Sequence, residues 1–187
     1  INANSIKKGF SGSIEYIDIA CVTPGRINET TAYNYADAPG RAKRIVSHGD
    51  IIWSCVRPNR KSHAVIWKPS ENLIASTGFV VVSPNTLPTS YLNQYMKTDD
   101  FVGYLTNRAG GAAYPAVKAI DFKEAPVVKP SDHLIEQFNK LTQPALEVSH
   151  DLQYQNQLLK EARDILLPRL MTGVIDVETL DLKHLAS

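Results

Sequence analysis

GDIIWSCVRPNRKSHAVIWK, residues 49–68, holds two apolar runs around a polar segment that carries Arg57, Arg60, Lys61 and His63. Runs rich in Ile, Val and Trp flanking a Pro-Asn pair read as a β-hairpin, because Pro58 presets its own φ and Asn59 tolerates a reversal. Cations at such a turn ordinarily serve solubility. Here residues 41–68 contain seven cations (Arg41, Lys43, Arg44, Arg57, Arg60, Lys61, Lys68) and one acid, Asp50. That concentration suits either a polyanionic partner or a solvated basic face, and charge alone leaves both open.

Outward from the hairpin, the chain divides into unlike halves. SIEYIDIACV (13–22) alternates as a strand does and TPG (23–25) turns it. STGFVVVSP (76–84) is a further β-branched strand closed by Pro84. Residues 88–107 become helical, with a break and a fresh N-cap at Thr98, Asp99 and Asp100. A glycine-rich loop, AGGAAYP (109–115), precedes a short strand expected around 119–128.

From Ser131 onward the periodicity changes. Leu134, Phe138, Leu141, Ala145, Val148, Leu152, Gln155, Leu159, Ala162 and Leu166 follow one another at steps of four and three, a heptad seam of more than four repeats. Gln155 is its polar member, a residue type that fixes register. Pro144 predicts a kink or restart near 140–144, and Gly173 a C-cap. Such a narrow stripe fits another helix better than a sheet, and the chain has no second helix of comparable length. The fold class expected is α+β: a β-rich domain with small helices over 1–130, a long coiled-coil-forming helix over 131–172, and a tail over 173–187.

Composition narrows the rest. The 187 residues are 43% hydrophobic and 21% charged, as in folded globular chains. Residues 1–130 hold 15 Lys+Arg against 10 Asp+Glu, and residues 131–187 hold 5 against 9, so the basic character belongs to one half. No run is long enough for a membrane span, and INANSIKKGF lacks the apolar core of a signal peptide. A start without Met reads as the interior of a longer product or a trimmed form. Cys21 and Cys55 read as reduced thiols of a cytoplasmic protein.

Catalytic readings find little support. Cys55 with His63 would be a nucleophile and base without a third member. His48-Gly49-Asp50 lacks further ligands at metal spacing, and GYLTNRAGGAAYP lacks the Lys-Ser/Thr of a phosphate loop. The expectation is a binding module without metal or cofactor of its own.

Five stretches carry a resemblance: YIDIACVTPGRI (16–27), RAKRIVSHGDIIWSCVRPNRKSHAVI (41–66), LIASTGFVVVSP (73–84), GAAYPAVKAIDF (111–122) and LLKEARDILLPRLMTGVIDV (158–177). In this order the chain resembles the DNA-specificity subunits of type I restriction–modification systems. The resemblance implies a non-catalytic subunit that reads double-stranded DNA through target-recognition domains, each followed by a long helix, with two helices pairing antiparallel as a ruler. It implies docking to methyltransferase subunits, which use S-adenosylmethionine, and to ATP-dependent restriction subunits that translocate and cut. Having one recognition domain and one helix, this chain resembles a half-subunit, with an opening segment of the domain expected to be missing.

Residues and resemblance meet at the hairpin. Arg57, Asn59 and Arg60 suit base edges, with Lys61 beside them, and Arg41, Lys43 and Arg44 suit phosphates. The resemblance adds Gly110, Gly111, Ala112, Tyr114 and Lys118 as a second contact surface, with Tyr114 alternatively buried in the fold. The seam residues would pair with a second copy or a missing half. Glu161, Arg163, Asp164 and Arg169 on the outer face would meet the methyltransferase or simply be solvated. The rival expectations are a coiled-coil adaptor binding an acidic protein, and a nuclease or deaminase with an unrecognised site.

Overall fold

The structure is a computed structural model that describes residues 1–7, 9–111 and 113–175. They fall into two units, Ile1–Gln143 and one that begins at Pro144.

Among the described residues, nine strands, three short α-helices and the first turns of a long one build the first unit. The strands are β1 (Ser13–Ile17), β2 (Val22–Thr23), β3 (Arg26–Ile27), β4 (Thr31–Asn34), β5 (Ala42–Ile45), β6 (Ile51–Ser54), β7 (His63–Val65), β8 (Leu73–Ser76) and β9 (Phe79–Val82). A mixed sheet runs β4-β1-β8-β5, a second runs β7-β6-β9, and β2 pairs with β3. The expected hairpin is present: β6 and β7 are antiparallel with Trp53 opposite His63 and Ile51 opposite Val65.

Side-chain alternation along these strands makes three apolar layers. Ile17 of β1, Leu73 and Ala75 of β8, Ile52 of β6 and Phe79 and Val81 of β9 fill the space between the two larger sheets. Ile74, between Leu73 and Ala75, points the other way and packs with Ile14, Tyr16 and Ala42. Ile51, Trp53 and Val80 face a third layer, closed by Met96, Phe101, Val102, Leu105 and Phe122 from the helices. Because β6 is covered on both faces, its Ile-Ile-Trp run is continuously apolar rather than alternating.

The 76–84 strand expected from sequence is in fact divided. Ser76 ends β8 in one sheet, Thr77 and Gly78 turn the chain, and β9 begins in the other sheet. Gly78 permits this because a Cβ there would lie 2.0 Å from the Ile19 side chain. The 13–22 strand also stops early, at Ile17: the Asp18 carboxylate accepts the Ala20 N–H at 3.0 Å and opens a 3-10 turn.

Helices α1 (Thr89–Met96) and α2 (Asp99–Arg108) follow the expected break, with the Thr98 hydroxyl capping Phe101 N–H. Residues 119–128 are not a strand. Ala119–Lys123 form a short helix, α3, because the Asp121 carboxylate accepts the Lys118 N–H at 2.6 Å and Phe122 enters the third apolar layer. Pro126 and Pro130 keep the following residues outside regular structure.

Helix α4 spans Asp132–Met171 with Pro144 and Pro168 inside it. The expected restart at 140–144 does not occur: a proline removes one N–H from the ladder, and the neighbouring turns carry the helix past it. Gly173, at φ +70°, ends it as expected and donates to the Leu170 carbonyl.

Candidate nucleic-acid interface

The polar segment of the hairpin is a shaped turn. Pro58–Arg60 form one 3-10 turn, flanked by Arg57 at φ +50° and Lys61 at φ +53°. Two bulky residues in the left-handed region cost on the order of 1–3 kcal/mol each and persist only where the surroundings hold them. Several groups do so here. Arg60 N–H bonds the Arg57 carbonyl at 2.9 Å, Lys61 N–H bonds that of Pro58 at 3.0 Å, and the Pro58 ring is fully buried. The Lys61 ammonium reaches Asp99 at 2.7 Å and the Lys97 carbonyl at 3.3 Å, fastening the turn to the start of α2. That contact holds the Asp99 carboxyl below its usual range. Asn59 and Arg60 are left exposed at the tip.

The glycine loop is joined to this turn. Arg57 N–H bonds the Pro115 carbonyl at 2.8 Å, Val117 N–H bonds that of Cys55 at 2.9 Å, and Val56 pairs with Ala116. Gly110 and Ala116 exchange two backbone bonds of 3.0 Å, closing the loop on itself. Gly111 sits at φ +98°, and a Cβ there would come within 3.0 Å of the Tyr114 carbonyl. Tyr114 is 63% exposed, which removes the buried alternative, and the Arg57 guanidinium lies over its ring at 4.7 Å. Lys118, two residues past Ala116, is exposed at the start of α3. Ala112 lies outside the described residues. Segments some fifty residues apart in sequence thus form one edge presenting Arg57, Asn59, Arg60, Gly110, Gly111 and Tyr114.

The other three predicted cations sit on the other sheet, at or beside β5. Arg41 and Lys43 are exposed. Arg44 is half-buried, and its Nε is enclosed without a hydrogen-bond partner. Its position favours packing over phosphate contact.

One cation was overlooked. Arg26 follows the 23–25 turn, and that turn is docked on the hairpin: Gly25 N–H bonds the His63 carbonyl at 2.8 Å, and Pro24 pairs in parallel with His63. TPGR announced a turn, but its neighbour is set by long-range pairing that no local pattern contains.

The nucleophile reading fails on its chemistry. Burial pushes the Cys55 thiol up to about 11, with the positive charge of Arg44 only partly opposing it. Burial also lowers His63, whose Nδ1 lies 2.6 Å from the Lys61 carbonyl and whose ring stacks on Trp53 at 4.6 Å. His63 thus props the turn from beneath. Among the described residues no three His, Cys, Asp or Glu side chains gather as a metal site.

The helical seam has a different character. In the first unit Ile135 is the buried residue of α4, while Phe138 packs edge-on against Tyr91 at 5.7 Å. Leu134 and Leu141 remain 55% and 79% exposed. In the second unit Val148, Leu152, Leu159 and Leu166 are exposed, as are Gln155 and Ala162. Pro144, Ala145, Val148, Ser149 and Leu152 line an apolar groove there. On the outer face Arg163 and Asp164 pair with each other at 2.7 Å. No helix of the described residues is long and apolar enough to cross a membrane.

Comparisons with known proteins agree on one family. No family model matches the chain. The chain is 29% identical over 73 residues to the type I restriction enzyme HindI specificity subunit of Haemophilus influenzae, covering 39% of this chain and 16% of that subunit. It is 34% identical over 70 residues to the MjaIX specificity subunit of Methanocaldococcus jannaschii, covering 37% of this chain and 16% of that one. Among solved structures, a chain of a type I restriction–modification system superposes with a TM-score of 0.67 at 23% identity, over 96% of this chain and 48% of its own. The HsdS subunit from Thermoanaerobacter tengcongensis gives 0.64 at 22%, with the same coverage. This chain therefore spans about half the length of the solved subunits it matches. The chain is similar in sequence, over part of its length, to type I restriction enzyme specificity subunits, and it has the fold of about half of the solved chains it matches.

Proposed function

We propose that this chain recognises a short sequence of double-stranded DNA, as half of a specificity subunit, and is not itself catalytic. The observation that carries the reading is the edge where the strained 57–61 turn and the 110–116 loop are bonded together. It presents Arg57, Asn59 and Arg60 from backbone held at both segments by hydrogen bonds. Fixed donors discriminate bases, because a mobile side chain would satisfy several of them. Arg41, Lys43 and Lys118 are the exposed cations suited to phosphates, and Arg26 belongs with them.

The exposed seam of α4 pairs with the same seam of a second copy, or with a second half of a longer subunit. Self-pairing is isologous and sets two recognition units in inverted relation, so the target is split and symmetrical. Methyltransferase and restriction subunits are the further partners, with Glu161 and Arg169 on the outer face as docking candidates. S-adenosylmethionine and ATP are used by those subunits. The setting is cytoplasmic, where such DNA is found.

Binding of a fluorescent random-sequence duplex across 50–200 mM salt tests the reading. Four phosphate contacts predict a fall in affinity of roughly 150-fold over that range, since each displaces condensed counterions. No duplex bound even at 50 mM salt would contradict it and favour a protein-binding adaptor.

A further inference from the structure

We infer that Tyr114 is a positioning residue for DNA reading: its exposed ring holds the Arg57 guanidinium flat, with the N–H edge presented to a base that offers two adjacent acceptors. The inference rests on the DNA-recognition reading and adds which residue reads and what orients it.

Three observations converge on the pair. The first is the 4.7 Å stack of the Arg57 guanidinium on the Tyr114 ring. A guanidinium stacked on an aromatic face uses its π surface and keeps its five N–H groups in the plane, free to make two parallel hydrogen bonds. Guanine, with O6 and N7 side by side in the major groove, is the base edge that matches such a fork.

The second is backbone. Arg57 is held in the left-handed region at φ +50°, and its own N–H is fixed to the Pro115 carbonyl, the residue next to Tyr114, at 2.8 Å. Ring and guanidinium are therefore tied together through main chain as well as through the stack. The third is exposure. Tyr114 is 63% exposed, and its ring serves no apolar layer of the fold. An exposed tyrosine that no core needs, under an arginine with strained backbone, is placed for preorganisation.

The neighbouring cations divide the work. The Lys61 ammonium is bonded to Asp99 and to the Lys97 carbonyl, so it buttresses the turn. Arg60 has an exposed, unstacked side chain in this edge. Orientation by an aromatic face thus singles out Arg57 as the fixed reader.

The test is selection of duplexes from a pool with a randomised 30-bp centre, using the full chain, followed by sequencing of the retained fraction. Wild type, Arg57→Ala, Tyr114→Phe, Tyr114→Leu and the Arg57→Ala/Tyr114→Leu double variant are compared. The expected result is a guanine preference at one position that Arg57→Ala and Tyr114→Leu each weaken by about tenfold. Tyr114→Phe keeps it, because its ring survives. The double variant is no worse at that position than Arg57→Ala alone, since the two side chains act as one unit. Rescue by Tyr114→Phe, together with a loss confined to the one position that Arg57 reads, is what a merely structural role would not predict.

Two outcomes overturn the inference while leaving DNA recognition intact. One is Tyr114→Leu selecting the wild-type sequence with undiminished preference. The other is Tyr114→Leu and Arg57→Ala altering different positions. A wild-type chain that retains duplexes without any base preference, or retains none, overturns the recognition reading itself and this inference with it.

Discussion

The first unit and the helix beyond Pro144 solve opposite problems. In the first, apolar side chains on both faces of β6, β8 and β9 are enclosed, and Ile17, Ile51, Ile52, Trp53 and Phe79 have essentially no exposure. In the second, Val148, Leu152, Leu159 and Leu166 stand at regular spacing with about half or more of their surface exposed. The proposed pairing of the helix accounts for the contrast: the first unit encloses its apolar residues, whereas the helix leaves its seam open to a partner.

That contrast can be broken most sharply at the seam. Leu152→Glu with Leu159→Glu should weaken self-association by roughly a hundredfold or more, because each carboxylate would be buried against an apolar partner. Sedimentation equilibrium measures this, and thermal unfolding of the β-rich unit should be unchanged. An unaltered association constant would break the comparison.

The converse substitution is Trp53→Ala. Trp53 is fully buried, stacked on His63 and edge-on to Phe101 at 5.5 Å. Its truncation should cost about 3–5 kcal/mol, read as a fall in urea midpoint. Association through the helix should persist at temperatures where the variant is folded.

A smaller effect sharpens the link between core and turn. Burial holds the His63 imidazole below its ordinary value of 6.5, so the folded protein binds fewer protons than the unfolded chain in mildly acid solution. This contribution is fully present above pH 6.5 and declines as pH falls below it, levelling off beneath the depressed folded value. His63→Gln should flatten that part of the profile, measured as urea midpoints at pH 7.5 and 5.5. An equal slope in wild type and variant would show that another group governs it.

The smallest effect is expected from Lys61→Ala. Asp99 is almost fully exposed, so losing this ion pair should barely move the urea midpoint. Its effect on random-duplex affinity should also be less than that of Arg60→Ala, because Lys61 already faces Asp99 and the Lys97 carbonyl. A loss as large as that of Arg60→Ala would return Lys61 to the DNA-contacting residues.

How much of this was legible in the sequence follows from how local each cause is. The hairpin, the two small helices and the bounds of α4 were readable, because period, caps and the Pro-Asn turn act over a few residues. The division of 76–84 between two sheets was not: it depends on Gly78 meeting Ile19, about sixty residues earlier in the chain. Residues 119–123 misled because Ala-Ile-Asp-Phe suits a strand until the Asp121 cap and the burial of Phe122 are known. At the candidate site, residue type pointed to Arg57 and the family resemblance to Tyr114. Their stack, the commitment of Lys61 to Asp99 and the docking of the Arg26 turn arise from tertiary pairing alone.

The central claim is that a rigid, basic edge reads DNA while the helix joins two such edges. The most direct test is the arrangement of half-sites in duplexes retained by the wild-type chain in the presence of a type I methyltransferase subunit. The account predicts one short motif occurring twice, inverted, with a constant number of unread base pairs between the copies. A single motif without a partner, or two motifs at varying separation, would contradict it.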